Sequence, residues 1–302
     1  MYLRSNHSEN CLASFCTSRT IIAMKISMHI LERWMAPYHP TSTITDGSME
    51  LEGVRLLSST SPTDPRFVYL SIEKEPAGGP EGYRVLATHN NDVIQLSTTS
   101  LEDVFNRIAE ALDYYRDIDY QVALALQSED PLQRFVDVCQ EHIGPTYIMD
   151  QRYHLLAISH MDADVLGPFA STWKLFEDNR FVPLDSFYER MDNTFYQRIN
   201  DKVRNLVFEN ELTVPYVYGV MNTYCDEEGN IIGQCMTSFD HPVGKADLQL
   251  IDACLAQLRA FDLPSQAHMG SYHSELVLST LAHGEPVLPE DMVKMHMQQT
   301  TR

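Results

Sequence analysis

The side chains with the most chemical potential in this 302-residue chain are Cys225, Cys235, His241 and Cys254, which fall within one short stretch. A structural zinc needs four nitrogen or sulfur ligands converging at about 2.0–2.3 Å, usually supplied by closely spaced pairs. Cys225 and Cys235 fall on neighbouring strands of a predicted hairpin, but no pair here has such spacing, and small buried hydrophobes account better for these cysteines. With Cys11, Cys16 and Cys139 they form no CxxC motif and no regular framework, which predicts reduced thiols in a cytoplasmic protein. A nucleophile would need an oriented base, and neither a GxSxG elbow nor a cysteine with a recognisable histidine partner is present. GxxxxGK[ST] and GxGxxG are also missing, so no phosphate cradle or dinucleotide turn is expected. The expectation is a chain with no metal, no cofactor and no catalytic centre.

Binding is a better prospect. The stretch from Gly167 to Asn210 mixes aromatic and charged residues, including Trp173, Phe176, Phe181, Phe187, Tyr188, Phe195 and Tyr196 beside Arg190 and Arg198. Ligand pockets are mainly apolar with a few aimed polar groups. A strand through Tyr216, Tyr218, Val220, Asn222 and Tyr224 turns alternate residues to one face, with Asn222 offering both a donor and an acceptor. The ligand-contacting set predicted from this pattern is Trp173, Tyr188, Tyr218 and Asn222. The competing reading is that the aromatics fill a core, since buried tyrosines often reach the edge with their hydroxyls without any ligand. His154 and His160, beside an earlier hairpin, are expected to be exposed or satisfied turn residues.

The elements that must position these residues follow a recognisable order. PTYIMD and HLLAIS read as two short strands joined by a tight turn starting at Asp150. VPYVYGVMNTYCD and NIIGQCMTSF read as a second hairpin around Glu227, Glu228 and Gly229, where glycine permits the positive φ of a tight loop. A helix from Lys245 to Phe261 closes the unit, with Leu248, Ile251, Leu255 and Leu258 on one face and Leu250 and Cys254 widening it. Strand pair, helical middle, strand pair and helix is the order of GAF and PAS sensor domains.

Upstream, residues 24–127 read as an α+β unit. An amphipathic helix in MKISMHILERWM places Ile26, Ile30, Trp34 and Met35 near one face and ends near Pro37, and Pro40 opens a Thr/Ser loop. Strands are predicted at 54–59, 67–73, 83–88 and 92–97, with a tight hairpin turn at His89, Asn90 and Asn91. They form a small antiparallel sheet with helices on one face. Ser100 caps a long helix whose apolar residues, Leu101, Val104, Phe105, Ile108, Leu112 and Tyr115, recur at three- and four-residue steps. Asp130 caps a further helix with Pro131 in its first turn and Gly144 as its stop.

The predicted organisation is thus a disordered leader at 1–23, an N-terminal α+β domain at 24–127, a GAF/PAS-like sensor domain at 128–264 and a helical tail at 265–302. Translation from Met24 rather than Met1 is an equal alternative. The net charge of −20 repels phosphate backbones, so this chain is not expected to bind nucleic acid directly. No apolar run approaches the roughly 20 residues that span a bilayer.

This succession resembles the PucR-type transcriptional regulators, the purine-catabolism and sugar-diacid group, in which an N-terminal α+β region precedes a GAF-like domain. SELVLSTLAHGEPVLPEDMVKM (Ser274 to Met295) is similar to the helical element that follows the sensor in that family. The resemblance implies a regulatory module without its C-terminal helix-turn-helix, sensing a small metabolite or a partner. It implies self-association or heteromers with related regulators, the alternative being a ligand-free dimerisation module. The apolar closing helix and the methionines Met292, Met295 and Met297 supply the surface for such pairing.

Overall fold

The computed structural model describes residues 24–57, 64–74, 83–97, 100–150, 155–161, 173–174, 177–178, 205–209, 218–225 and 231–259. Before the first sheet, Ser27 ends an extended lead-in. Its hydroxyl accepts from the backbone N–H of Ile30 at 3.2 Å and so caps helix α1, Met28–Trp34. The amphipathic pattern that begins at Met24 therefore becomes helical only after this cap, and Ile26 instead makes an isolated antiparallel bridge to Leu51. Ile26, Ile30 and Met35 are buried, as their spacing predicted. Trp34 is half-buried, donating its indole N–H to the carbonyl of Arg107 at 3.0 Å beneath that residue's guanidinium.

The first sheet comprises β1 (Thr41–Thr43), β2 (Gly53–Leu56), β3 (Phe67–Lys74), β4 (Tyr83–His89) and β5 (Asp92–Leu96), in the order β1-β5-β4-β3-β2. β4 and β5 form the expected hairpin, with His89 opposite Asp92 and Asn90 at φ 51°, a left-handed position that asparagine tolerates. Two features depart from expectation. The Thr/Ser segment after Pro40 pairs with β5 as an edge strand, and β2 runs parallel to β3 although an antiparallel sheet was predicted. Side-chain alternation is the same in either strand direction, so it carries no information on orientation.

Helix α2, Leu101–Ala125, is capped by Ser100, whose hydroxyl accepts from Asp103 N–H at 3.1 Å, and it lies against β2 and β3. Val104, Ile108, Leu112 and Tyr115 are buried beneath it, while Leu101 and Phe105 are partly so. Helix α3, Pro131–His142, has Asp130 as its cap and Pro131 in its first turn, and buries Leu132, Phe135, Val136 and Cys139.

The second sheet joins β6 (Thr146–Asp150), β7 (Leu155–Ile158), β8 (Leu206–Glu209), β9 (Tyr218–Cys225) and β10 (Ile231–Phe239) in the order β7-β6-β10-β9-β8, all antiparallel. The four strands expected from the two hairpins thus lie side by side, and β8 is an addition that lay hidden in the aromatic stretch. Helix α4, Lys245–Arg259, follows and buries Leu250, Ile251, Cys254, Leu255 and Leu258. The result is an α+β fold with two antiparallel-dominated sheets. One apolar core runs through it, from Ile26, Leu51 and Leu70 of the first half to Ile148, Val220 and Leu255 of the second.

The joint between the two sheets is made by α1 and α4. Arg33 of α1 pairs with Asp247 of α4, and the Ser27 hydroxyl donates to Gln249 Oε1 at 2.5 Å. Farther along α4, Gln257 Nε2 donates to Asp119 Oδ1 at 2.5 Å, while Asp119 Oδ2 accepts from Met24 N–H at 3.0 Å. No helix among the described residues is long and apolar enough to cross a membrane.

Candidate functional site

Register decides which side of the second sheet each candidate occupies. Cys235 pairs with Asn222 on β9 and Ile148 on β6, and Ile148 pairs with Ala157. These positions, with Val220, Tyr218 and Phe239, form the face packed on α3 and α4: Ile148, Ala157, Val220, Cys235 and Phe239 join Phe135, Cys139, Leu250 and Cys254 in the core. The neighbouring positions Tyr147, Met149, Met221, Gln234 and Met236 point the other way, since successive strand residues alternate faces. They are buried as well, so the central strands are covered on both sides.

Trp173 belongs to this second face. Its ring meets Tyr147 edge-on at 6.2 Å, its indole N–H donates to the Ser159 carbonyl at 3.2 Å, and it is only 1% exposed. Asn222 and Tyr218 share a face as their spacing predicted, but that face meets the helices, so the sheet itself separates them from Trp173. Asn222 is fully buried opposite Cys235, and its Oδ1 finds no donor. Tyr218 is half-buried at the margin of the helix-packed core. Tyr188 and His154 lie outside the described residues, and His160 is largely exposed, 3.6 Å from Glu177.

The polar group that does share the Trp173 face is Gln234. It is 5% exposed and its Oε1 accepts no hydrogen bond. Its strand partner Met149 is two positions from Tyr147, on the same side of β6. A buried amide oxygen without a donor costs free energy, on the order of 1–3 kcal/mol, unless something supplies one. The sequence carried a signal for it: Gln234 is the lone amide in the apolar run of β10 from Ile231 to Met236. Burial holds the Tyr147 phenol protonated.

Three of the six cysteines are shown as core residues, while Cys11, Cys16 and the Cys225 side chain lie outside the described residues. Cys139, Cys235 and Cys254 are buried and make no disulfide, on α3, β10 and α4. Burial, reinforced by their mutual proximity, lifts the Cys139 thiol well above its usual range, and burial pushes Cys254 up to about 12, so neither is nucleophilic. Among the described residues no three His, Cys, Asp or Glu side chains converge as metal ligands. His241 joins no cysteine: its Nδ1 lies 2.7 Å from Asp240 and its Nε2 3.4 Å from Asp247.

A separate cleft of about 520 Å³ opens at the joint between the sheets, walled by His29, Glu32 and Arg33 of α1 and by His241, Lys245 and Asp247 at the corner leading into α4. Both candidate regions offer recognition chemistry, apolar and amide on the sheet face and ionic in the cleft.

No protein-family model matches the chain, and no curated protein does. Among solved structures, an extracellular ligand binding receptor from Desulfohalobium retbaense is similar at 11% identity and a TM-score of 0.25, over 58% of this chain and 30% of that one. A bacteriophytochrome from the photosynthetic bacterium R. palustris is similar at 8% identity and a TM-score of 0.27, over 76% of this chain and 53% of that one. The chain spans about a third and about half of the lengths of these two proteins. Likeness at this level identifies neither a fold family nor a function.

Proposed function

We propose that this chain is a regulatory sensor module, similar to the sensor part of a PucR-type transcriptional regulator. Its second sheet takes up a small metabolite on the face of Tyr147, Trp173 and Gln234. The carrying observation is the buried Gln234 Oε1, a hydrogen-bond acceptor left open on the sheet face that also carries Tyr147, with Trp173 against it, and three methionines, Met149, Met221 and Met236. Soft, adaptable methionines and flat rings suit an apolar or heteroaromatic ligand, and an open amide oxygen suits one that carries an N–H donor. The opposite face of the same sheet packs on α3 and α4, and α4 is tied to α1, so a shift at the ligand face has a packed route to the first sheet. In this reading the chain is cytoplasmic, performs no chemistry itself and acts through related regulators.

Thermal-shift and calorimetric screening against purines, nucleotides and organic acids tests this reading on the intact chain. At least one compound should stabilise the wild type and lose most of that effect in Gln234→Leu. Stabilisation by none of them would remove ligand sensing.

A second reading, an interaction module working by self-association, draws on Tyr120 and Leu124. These are 54% and 49% exposed and one helical turn apart on α2. The apolar face of α4, the sequence basis for such pairing, is used within the chain's own core. Light scattering separates the readings: a strict monomer that also fails to bind related regulators leaves only the first.

A further inference from the structure

The cleft at the α1–α4 joint has an ionic balance unlike that of the rest of the chain. Overall, 22 Lys and Arg face 42 Asp and Glu, whereas in the cleft Arg33 and Lys245 match the two lining carboxylates, Glu32 and Asp247, and the imidazoles of His29 and His241 stand beside them. Both carboxylates are already engaged. Asp247 is nearly buried, accepts from Gly244 N–H at 2.8 Å through Oδ2, and meets Arg33 and His241 through Oδ1. Glu32 accepts from the Ser42 hydroxyl and lies 4.0 Å from His29.

Lys245 is different, because it makes no ion pair among the described residues. Its charge bears on His29, whose side chain is 14% exposed in the cleft wall. Burial first, and then Lys245, lower the affinity of His29 for a proton, against the opposing pull of Glu32 and Asp92. With both carboxylates engaged, the Lys245 ammonium is left without an anionic partner among the described residues, in a cavity whose volume falls within the roughly 300–1,000 Å³ of small-molecule sites.

We propose that this cleft binds a small anion of metabolite size, bearing a carboxylate or phosphate group, between Lys245 and His29 with Arg33 at its edge. The anion would touch α1 and α4 at once and clamp the joint between the two sheets. The site is distinct from the Gln234 face and does not depend on that face binding anything.

Titration calorimetry of the full chain with inorganic phosphate and with malonate, at constant ionic strength, tests the proposal. Saturable binding of at least one is expected, and whichever binds more tightly assigns the group as phosphate or carboxylate. Lys245→Gln, an exposed change that leaves the core intact, should weaken binding by about tenfold, the loss expected for one charge-assisted contact. Followed by NMR, the His29 imidazole should titrate at higher pH when the anion is bound. Gln234→Leu should bind the anion as the wild type does, which keeps this test separate from that of the sensor face. Absence of saturable binding by both anions, or equal affinity in Lys245→Gln, would overturn the proposal.

Discussion

Ser27 and Gln249 stand 222 positions apart in the chain and share a 2.5 Å hydrogen bond, from the serine hydroxyl to the amide oxygen. The same serine caps α1, and the same glutamine donates through Nε2 to the Gly47 carbonyl at 2.7 Å. One side-chain pair therefore joins the start of α1, the loop before β2 and the face of α4.

Gln249→Ala removes both bonds and strands the fully buried Ser27 hydroxyl without its acceptor. A loss of about 1–3 kcal/mol is expected in urea denaturation. Hydrogen exchange should show faster opening of α1 with little change in β4 and β5. An unchanged denaturation midpoint would mean that the joint does not depend on this pair.

Asp92 holds the loop before β2 from beneath. Its carboxylate accepts from the N–H groups of Thr45 at 2.7 Å, Asp46 at 2.9 Å and Gly47 at 2.7 Å. Burial by itself raises its pKa, but the three backbone donors outweigh burial and set it below the ordinary 3.8. The folded value is thus depressed, so the stabilisation is present above the unfolded pKa and fades as pH falls through the lower folded one. Asp92→Asn should cost about 1.5–3 kcal/mol at pH 7. The gap from wild type should narrow in acid below about pH 4, the ordinary range of an unfolded aspartate. A gap independent of pH would contradict the assignment.

Gly144 follows α3 with no room for a side chain. A Cβ there would drive into the backbone carbonyl oxygen of Ser238, which cannot rotate away as a side chain would. Gly144→Ala is expected to destabilise by about 1–3 kcal/mol, in the manner of overpacking, and to lower the thermal midpoint accordingly. A midpoint equal to wild type would show that β10 can shift at no cost.

Gln234→Leu should behave unlike most buried substitutions. Replacing an amide whose oxygen has no donor by an apolar side chain of similar size removes a desolvation cost. The unliganded variant should therefore melt at or above the wild-type temperature. A clear loss of stability would show that Gln234 is a structural group, and would weaken its assignment to a ligand.

Cys139 and Cys254 should resist alkylation by iodoacetamide in the native protein at pH 8 and react once the chain is unfolded. Their burial removes access as well as thiolate character. Site-resolved mass spectrometry reads this directly, and rapid native labelling of either would contradict the packed core.

Much of the scaffold was legible in the chain itself, and the reasons are local. Ser100 and Asp130 announced their helices because a capping side chain acts within three residues, and Asn90 marked a hairpin because few side chains tolerate positive φ. The spacing of Leu250, Ile251, Cys254, Leu255 and Leu258 showed that α4 has one apolar side. The edge strand Thr41–Thr43 and the strand Leu206–Glu209 were not legible, because short strands without strong alternation exist only through their partners.

The site divides in the same way. Periodicity alone put Tyr218, Val220 and Asn222 on a common side of β9, since that depends on nothing beyond the extended backbone. Whether that side met helices or Trp173 was settled by the pairing of β9 with β10 and by the packing of α4 against Cys235 and Phe239, contacts between residues far apart in sequence. The same long-range packing turned Gln234 toward the aromatic face and brought Lys245 beside His29. Sequence spacing fixes which side chains travel together, whereas only the assembled layers fix what they face.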